Sequence, residues 1–262
     1  MKSIVFDLDG TMYRGTEIIP GARTFLEACQ KEQIPVYFLT NNSMRTPQEN
    51  TEHMLKMGYT GIRPEQFFNS AMASVMYARE HYEGNKAWYI GAGGMKEALE
   101  TAGFEITEDH PDFVFIGLDK KADYAKYSRA LSMLLNGARL IGTNKDRILA
   151  KPGGFEVGNG SVVALFEYAT GTPSPDIAKP SRVMLDLFLK HFDLDRDDVI
   201  LVGDNLETDI ALGYFNQVET VFVTTGVHSG QDIERLQIVP DHITEDLSLL
   251  NPCVMAGKNK GL

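Results

Sequence analysis

Two aspartates, Asp7 and Asp9, lie one residue apart near the start of the chain and are followed directly by Gly10 and Thr11. The apolar run over residues 4–8 predicts a buried strand, although aspartate is a poor strand former. Side chains two positions apart on a strand point the same way, so both carboxylates would be aimed at one place. An ordinary strand-ending turn is the alternative interpretation, because Asp and Gly are common turn residues.

Further polar residues follow two other predicted strands, one ending at Thr40 and one at Gly203. Because ligands bind outside the carboxyl ends of parallel strands, we expect these groups to meet at one sheet edge. A single aspartate at a strand end is more often a helix cap, but several such ends in one chain favour a site. The residues concerned are Thr40, Asn41 and Asn42 after the first strand, and Asp204, Asn205, Glu207 and Asp209 after the second.

A cluster of carboxylates at a sheet edge needs a compensating positive charge. Two carboxylates about 4 Å apart repel each other by about 4 kcal/mol at an effective dielectric constant of about 20. Oxygen ligands without histidine or cysteine favour a hard ion, and Mg²⁺ fits best because it usually binds one or two carboxylates together with a substrate phosphate. Lys179 supplies one positive charge where the chain is predicted to re-enter its core; a solvated surface lysine is the alternative interpretation.

Short apolar runs alternate with helical patterns along the whole chain. This alternation predicts parallel sheets with crossover helices, and so an α/β fold with a doubly wound, Rossmann-like core. The glycine-rich segment over residues 151–160 is predicted to be a loop that leads into a helix.

The spacing of the polar motifs predicts where a second domain is inserted. The 33 positions from Asp7 to Thr40 leave no room for one, whereas the 139 positions from Thr40 to Lys179 do. A domain inserted there would cover the site, exclude water and set specificity. The predicted domains are a core of residues 1–82 and 178–262 and a smaller α/β domain of residues 83–177.

Composition restricts the class of partner. The 262 residues include 25 basic and 36 acidic side chains, a formal net charge of −11, which argues against nucleic acid or an anionic membrane as partners. The two cysteines and six histidines lack metal-ligand spacing. His228 follows a predicted core strand and could approach the rim of the site, but an incidental loop residue is the preferred interpretation. No apolar run approaches the roughly 18 residues of a membrane span. We therefore predict a cytoplasmic protein with a small-molecule partner, whose inserted domain could also support a homodimer.

Four stretches, in order along the chain, carry a resemblance to a known family: D-L-D-G-T, F-L-T-N-N-S, A-K-P-S and V-G-D-N-L-E-T-D. They resemble the four motifs of the haloacid dehalogenase (HAD) superfamily, and the likeness covers nearly the whole chain. The inserted region resembles the larger, C2-type cap domain of NagD-like phosphatases in the stretches P-D-F-V-F-I-G-L-D, N-G-A-R-L-I-G-T-N-K-D and G-N-G-S.

The resemblance implies a role for each matching residue. Asp7 would be the nucleophile that forms an aspartyl-phosphate, and Asp9 would protonate the leaving group and then activate water. Mg²⁺ would be held by the side chains of Asp7 and Asp204 and by the backbone carbonyl of Asp9. The residues that would support these ligands are Asn205 and Asp209, with Glu207 as the alternative to Asp209.

The resemblance also implies a set of groups that bind the substrate. Gly10 would let the backbone approach the phosphate closely. Two residues of the inserted domain, Asp119 and Asn144, are candidates for substrate contact, with an ordinary turn or capping role as the alternative. The residues that would bind phosphoryl oxygens are Thr40, Asn41, Asn42 and Lys179.

The leading hypothesis is a Mg²⁺-dependent phosphatase acting on a small phosphorylated metabolite. Nucleoside monophosphates, sugar phosphates, phosphoglycolate, glycerol phosphate, pyridoxal phosphate and the test compound 4-nitrophenyl phosphate all remain open as substrates. A phosphorylatable receiver-like domain is one alternative, against which Asp9 argues because a receiver has no leaving group to protonate. A non-catalytic protein that binds a phosphorylated metabolite on the same fold is the other.

Overall fold

The computed structural model describes residues 1–151 and 153–258. Within it the chain forms two compact units, each assembled from separate segments. The first unit comprises Met1–Thr40, Asn50–Phe68 and Phe188–Leu262, and the second comprises Asn41–Glu49 and Asn69–Leu187. The second unit thus includes residues 69–82, which lie on the core side of the predicted boundary, and the domain boundaries proposed from the sequence stay a prediction.

The strands are short and mostly buried. In chain order they are β1 (Ser3–Phe6), β2 (Tyr13–Arg14), β3 (Glu17–Ile18), β4 (Val36–Thr40), β5 (Phe67–Asn69), β6 (Lys86–Ile90), β7 (Glu105–Ile106), β8 (Phe113–Ile116), β9 (Arg139–Gly142), β10 (Ile148–Lys151), β11 (Gly154–Val157), β12 (Val199–Gly203), β13 (Glu219–Val223) and β14 (His242–Thr244).

The helices connect these strands, and several begin at a capping side chain. Asp123, for example, caps one helix by accepting a hydrogen bond from the Lys126 N–H at 2.8 Å. The α-helices are α1 (Ala22–Lys31), α2 (Pro47–Lys56), α3 (Ser70–His81), α4 (Gly93–Thr101), α5 (Tyr124–Leu135), α6 (Asn159–Thr170), α7 (Arg182–Phe192), α8 (Ala211–Asn216), α9 (Asp232–Leu236) and α10 (Pro252–Met255). Single 3₁₀ turns lie at Pro64–Gln66, Arg196–Asp198 and Leu247–Leu249, and one π-helical turn at Leu206–Ile210.

The first unit is built on a six-stranded sheet with the strand order β14-β13-β12-β1-β4-β5. The pairs of β1 with β12 and with β4 are parallel, in the registers Ile4↔Ile200 and Ile4↔Val36. From β1 the chain proceeds outward to β4 and β5 on one side, and from β12 to β13 and β14 on the other. The switch point therefore lies between β1 and β12, where doubly wound sheets bind their ligands.

Aromatic side chains fill the core of the first unit. The rings of Phe38 and Phe67 stack with their centroids 4.6 Å apart, and Phe6 contacts Phe25 edge-on at 6.0 Å. All four side chains are buried. Each such burial stabilises the unit by about 1.5–3 kcal/mol, which fixes the strands that end at the candidate site.

The second unit has its own four-stranded parallel sheet in the order β7-β6-β8-β9. Its core includes Trp88 and Val114, which pair across β6 and β8, and Phe166 of α6. The predicted α/β fold with a doubly wound core is confirmed. No helix among residues 1–151 and 153–258 is both long enough and apolar enough to cross a membrane.

The loop predicted over residues 151–160 is wrong. Strands β10 and β11 form an antiparallel hairpin there, in which Ile148 pairs with Val157 and Lys151 with Gly154. Gly153, which lies between the two strands, has a φ of +80°, a left-handed conformation that glycine adopts readily. Glycines that appeared to mark a loop thus make the turn of a hairpin.

Candidate active site

Three aspartates of the first unit form an acidic cluster at the carboxyl ends of β1 and β12. Asp7 directly follows β1, and its N–H donates to the Val202 carbonyl at 2.8 Å, which extends the pairing of the two strands by one residue. Carboxylate oxygens of Asp7, Asp204 and Asp209 all lie within 4.8 Å of one another. Asp204 and Asp209 are buried and Asp7 is half-buried.

The carboxylate of Asp204 is held on both of its oxygens. Its Oδ1 accepts a hydrogen bond from the Thr11 hydroxyl at 3.2 Å, and its Oδ2 accepts one from the Val227 N–H at 2.7 Å. A Cβ added at Gly10 or at Gly226 would overlap this carboxylate. The missing side chain at Gly10 thus makes room for Asp204, and the predicted approach of a phosphate to the Gly10 backbone stays a prediction.

The π-helical turn decides between the two acidic residues that follow Asp204. Asp209 is buried within the cluster, and its Oδ2 accepts a hydrogen bond from the Asn205 N–H at 3.1 Å. The Glu207 carboxylate instead lies 3.5 Å from His228 Nε2, and its side chain is 54% exposed. Asn205 caps the turn by accepting from the Glu207 N–H at 2.9 Å. Asp209 is therefore the carboxylate that accompanies Asp204.

His228 lies against the Asp204 loop. His228 is only 8% exposed, and its ring nitrogen Nδ1 accepts a hydrogen bond from the Leu206 N–H at 3.1 Å. The backbone N–H of His228 donates to the Asp204 carbonyl at 3.4 Å. His228 therefore contacts the segment that carries Asp204, in agreement with the alternative interpretation drawn from its position after a core strand. The preferred interpretation, an incidental loop residue, is wrong about its surroundings.

Asp9 and Thr40 complete the predicted residues of the first unit. The Asp9 side chain is exposed, whereas its neighbour Leu8 is buried. Thr40 is buried at the carboxyl end of β4, the strand that pairs with β1. Strands β1, β4 and β12 thus deliver their polar termini to the same edge of the sheet.

In the second unit the structure brings Asn41 and Lys179 together. Asn41 Oδ1 accepts a hydrogen bond from the Lys179 N–H at 3.0 Å, and Asn41 Nδ2 donates to the Lys179 carbonyl at 3.1 Å. Lys179 is 6% exposed, and the peptide bond that joins it to Pro180 is cis. The predicted contact of these two residues with phosphate stays a prediction.

The other predicted substrate contacts, Asp119, Asn144 and Asn42, form hydrogen bonds within the second unit. Asp119 accepts hydrogen bonds from Lys126 Nζ at 2.7 Å and from the Lys121 N–H at 2.9 Å. Partial burial raises the pKa of Asp119, but these hydrogen bonds and the two lysine charges outweigh burial and hold the pKa below its usual value. Asn144 Nδ2 donates to the Asn41 carbonyl at 2.8 Å, and Asn42 Oδ1 accepts from the Met44 N–H at 2.9 Å.

The acidic cluster fits a magnesium ion by the chemistry of its donors. Its ligand atoms are carboxylate oxygens from two adjacent strand ends and one turn, and two of the three residues are buried. Burying like charges so close together is unfavourable without a cation, and Mg²⁺ prefers this type of oxygen ligand.

Comparisons with known proteins show which family this chain resembles. Residues 4–105 match the family described as haloacid dehalogenase-like hydrolase, and residues 176–250 match the one described as HAD-hydrolase-like. An acid sugar phosphatase of Staphylococcus epidermidis is 37% identical over 249 residues, which cover 95% of this chain and 96% of the relative. NagD from Escherichia coli K-12 superposes with a TM-score of 0.87 at 31% identity, over 95% of this chain and 98% of that chain. A p-nitrophenyl phosphatase from Archaeoglobus fulgidus superposes with a TM-score of 0.85 at 29% identity, over 94% and 97%.

Proposed function

We propose a substrate class and a metal for this chain, which belongs to the haloacid dehalogenase-like hydrolases and is a phosphatase of their NagD-like group. The proposed substrates are small phosphomonoesters, above all sugar phosphates, and Mg²⁺ would bind at the acidic cluster. The observation that carries this proposal is the convergence of Asp7, Asp204 and Asp209 at the switch point of the sheet. The assignment to sugar phosphates is supported by the naming of the Staphylococcus relatives as acid sugar phosphatases.

The proposed reaction runs through two displacements at phosphorus. A carboxylate oxygen of Asp7 attacks the phosphorus atom while the bond to the leaving-group oxygen breaks and that oxygen takes a proton from Asp9. Asp9 then removes a proton from a water molecule, whose oxygen attacks the phosphorus atom of the aspartyl-phosphate. The bond from phosphorus to the Asp7 oxygen breaks, which releases inorganic phosphate and restores the Asp7 carboxylate. The two-residue spacing supports this division of roles, since one carboxylate attacks and its neighbour moves the proton.

The metal would be held by the carboxylates of Asp7 and Asp204 and by the backbone carbonyl of Asp9, with Asp209 beside them. Bound there, Mg²⁺ would neutralise charge on the phosphoryl group and orient it. Thr40 and Lys179 would donate hydrogen bonds to the phosphoryl oxygens, which gain or redistribute charge during the reaction. The inserted domain predicted over residues 83–177 would exclude water during the first displacement.

Hydrolysis of 4-nitrophenyl phosphate tests the chemistry. We expect turnover with Mg²⁺, its loss on dialysis against EDTA, and its recovery when Mg²⁺ is returned. Asp7→Asn should abolish turnover, whereas Asp197→Asn, an exposed aspartate of the same unit, should not change it. A stable phosphoprotein without turnover, or binding of the ester without hydrolysis, would contradict the proposal and favour one of the two alternatives from the sequence analysis.

A panel of phosphorylated metabolites tests the substrate class. We expect measurable hydrolysis of several small monoesters, with hexose and pentose phosphates among the best, compared through kcat/KM at a fixed Mg²⁺ concentration. The control compounds are nucleoside monophosphates, phosphoglycolate, glycerol phosphate and pyridoxal phosphate. Preference for one compound outside the sugar phosphates by orders of magnitude would refute the assignment while leaving the mechanism intact.

A further inference from the structure

The side-chain amide of Asn41 has no hydrogen-bond donor left for a ligand. Its nitrogen carries two N–H groups. One bonds to the Lys179 carbonyl at 3.1 Å and the other to the Asp146 carboxylate, with distances of 3.2 and 3.4 Å to the two oxygens. The amide oxygen carries no hydrogen and already accepts from the Lys179 N–H. A phosphoryl oxygen only accepts hydrogen bonds, so this side chain offers it nothing.

The two bonds to Lys179 involve both polar groups of one residue's backbone. Asn41 binds its N–H at 3.0 Å and its carbonyl at 3.1 Å, so the amide constrains both the position and the rotation of the backbone that carries the lysine side chain. Asn41 and Lys179 are both buried. Hydrogen bonds in such surroundings are strong and geometrically well defined.

Asn41 is itself anchored by the loop that follows β9. Asp146 accepts from its amide, and the Asp146 N–H donates to Asn144 Oδ1 at 3.1 Å. The Asn41 carbonyl accepts hydrogen bonds from Asn144 Nδ2 at 2.8 Å and from the Ser70 hydroxyl at 2.5 Å. Two segments of the second unit, the loop after β9 and the start of α3, therefore fix Asn41 through both its backbone and its side chain.

We propose that Asn41 is a positioning residue that holds Lys179 for the reaction instead of contacting phosphate through its side chain, and that Asp146 holds Asn41 in turn. The inference rests on the proposed function, in which the Lys179 ammonium binds phosphoryl oxygens. Loss of the Asn41 amide frees the lysine backbone. The ammonium group then leaves its productive position, and displacements of this kind lower turnover by roughly 100-fold.

A double-mutant cycle separates positioning from direct contact with phosphate. The proteins compared are the wild type, Asn41→Ala, Lys179→Ala and the variant with both substitutions, with kcat and KM measured on 4-nitrophenyl phosphate and the Kd of orthophosphate measured by calorimetry in the presence of Mg²⁺. We expect Asn41→Ala to lower kcat by roughly 100-fold in the wild type and by less than about twofold in the Lys179→Ala background, because there it has no ammonium left to position. The Kd of orthophosphate should show the same dependence on background.

Equal factors in the two backgrounds would overturn the inference, because they would mean that Asn41 acts on phosphate independently of Lys179. A kcat for Lys179→Ala equal to that of the wild type would also overturn the inference, because it would mean that the Lys179 ammonium does not contribute to the reaction. Absence of any phosphatase activity in the wild type would instead refute the proposed function.

Two further variants guard against a simple loss of structure. Asp146→Ala keeps the Asn41 side chain but removes the carboxylate that accepts its hydrogen bond. It should lower kcat when introduced into the wild type and should have no added effect when introduced into Asn41→Ala. An unchanged kcat in Asp146→Ala would refute the positioning role assigned to Asp146. Asp123→Ala removes the cap of α5 in the same unit and should lower the melting temperature without changing kcat. A matching fall in kcat for Asp123→Ala would show that Asn41→Ala reports only destabilisation, and the inference would fail.

Discussion

At the scale of single residues, Asp204 is oriented by groups from separate segments of the first unit. Thr11, one residue beyond the Asp-x-Asp-Gly turn, and Val227, in the loop after β13, each bond to one of its carboxylate oxygens. Gly10 and Gly226 leave space for the carboxylate between them. As a proposed metal ligand, Asp204 would lose little freedom on binding an ion, and residues that orient ligands contribute substantially to metal affinity.

Gly226→Ala should therefore disable the acidic cluster. The new Cβ would overlap the Asp204 carboxylate and force it out of place. We expect Mg²⁺ affinity, measured by calorimetry without substrate, to fall roughly 10–100-fold, with kcat falling as well. The matched control is Gly230→Ala in the same loop, because a Cβ at Gly230 would meet no atom within 4 Å. Wild-type Mg²⁺ affinity in Gly226→Ala would contradict this account.

His228 offers a second residue-scale test. Leucine at this position would leave the buried Leu206 N–H without the acceptor that Nδ1 provides at 3.1 Å, at a cost of about 1–3 kcal/mol. Asparagine carries an oxygen near the position of Nδ1 and should recover much of that loss. We expect His228→Leu to have a lower melting temperature than the wild type in EDTA and a lower affinity for Mg²⁺. Both values for His228→Asn should lie between those of the wild type and His228→Leu. Identical behaviour of the two variants would show that the hydrogen bond does not matter.

At the scale of elements, the sequence predicts most of the strands and helices but few of their polar contacts. Apolar runs such as those of β1 and β12 must be buried, and the helical pattern predicts a helix over Tyr124–Leu135, which is where α5 is observed. The pairing of Asn41 with Lys179 spans 138 positions and depends on how both segments fold back, which no local pattern encodes. Glu207 and Asp209 both lie in the π-helical turn, and only Asp209 is buried in the cluster; which of the two faces inward depends on how this turn packs against the sheet.

An ion pair across the sheet of the first unit gives an element-scale prediction. Lys2, just before β1, lies 2.6 Å from the Glu219 carboxylate at the start of β13, and His242 of β14 contacts the other Glu219 oxygen at 2.9 Å. Partial burial raises the pKa of Glu219, but hydrogen bonds and charge from Lys2 and His242 outweigh burial and lower it below 4.5. Its stabilising contribution is therefore present above pH of about 4.5 and is lost as the pH falls through the lowered pKa.

Lys2→Met should accordingly cost up to about 1 kcal/mol near pH 7, a modest value because both side chains are partly solvated. The difference from the wild type should shrink as the pH falls through the lowered pKa of Glu219 and the carboxylate is protonated. Urea unfolding in a series of buffers from pH 7 downward measures this difference. Lys31→Met, which removes a lysine at the exposed end of α1, should show no such pH dependence. A loss of unfolding free energy in Lys2→Met that grows toward low pH would contradict the role assigned to this ion pair.

At the scale of the whole molecule, the two units use similar parallel sheets differently. In the first unit the switch point between β1 and β12 carries the acidic cluster. In the second unit the segment over residues 41–49 lies against the carboxyl ends of β6 and β8. The Gly94 N–H donates to the Met44 carbonyl at 2.8 Å, and the Leu118 N–H donates to the Ser43 hydroxyl at 3.3 Å. A Cβ at Gly94 would lie 2.5 Å from the Arg45 carbonyl oxygen, so this close approach requires glycine.

Each unit also contains a probe of its own unfolding. Trp88, the single tryptophan of the chain, is buried in the core of the second unit, and Cys29 is buried in the core of the first. Burial, with a smaller contribution from the neighbouring Cys253 thiol, raises the pKa of Cys29 to about 12. The thiolate is the reactive form, so at pH 8 only about one Cys29 thiol in ten thousand is reactive while the first unit is folded.

Mg²⁺ should protect Cys29 more than it protects Trp88, because the acidic cluster lies in the first unit. At a Mg²⁺ concentration 100 times its Kd, binding should stabilise that unit by about 2.7 kcal/mol. Disulfide-exchange labelling of a Cys253→Ser variant and tryptophan fluorescence, followed through one urea titration, measure the two transitions. The labelling midpoint should rise and the fluorescence midpoint should move less. Asp204→Asn serves as control and should abolish the Mg²⁺ effect; a shift confined to Trp88 would place the ion outside the cluster.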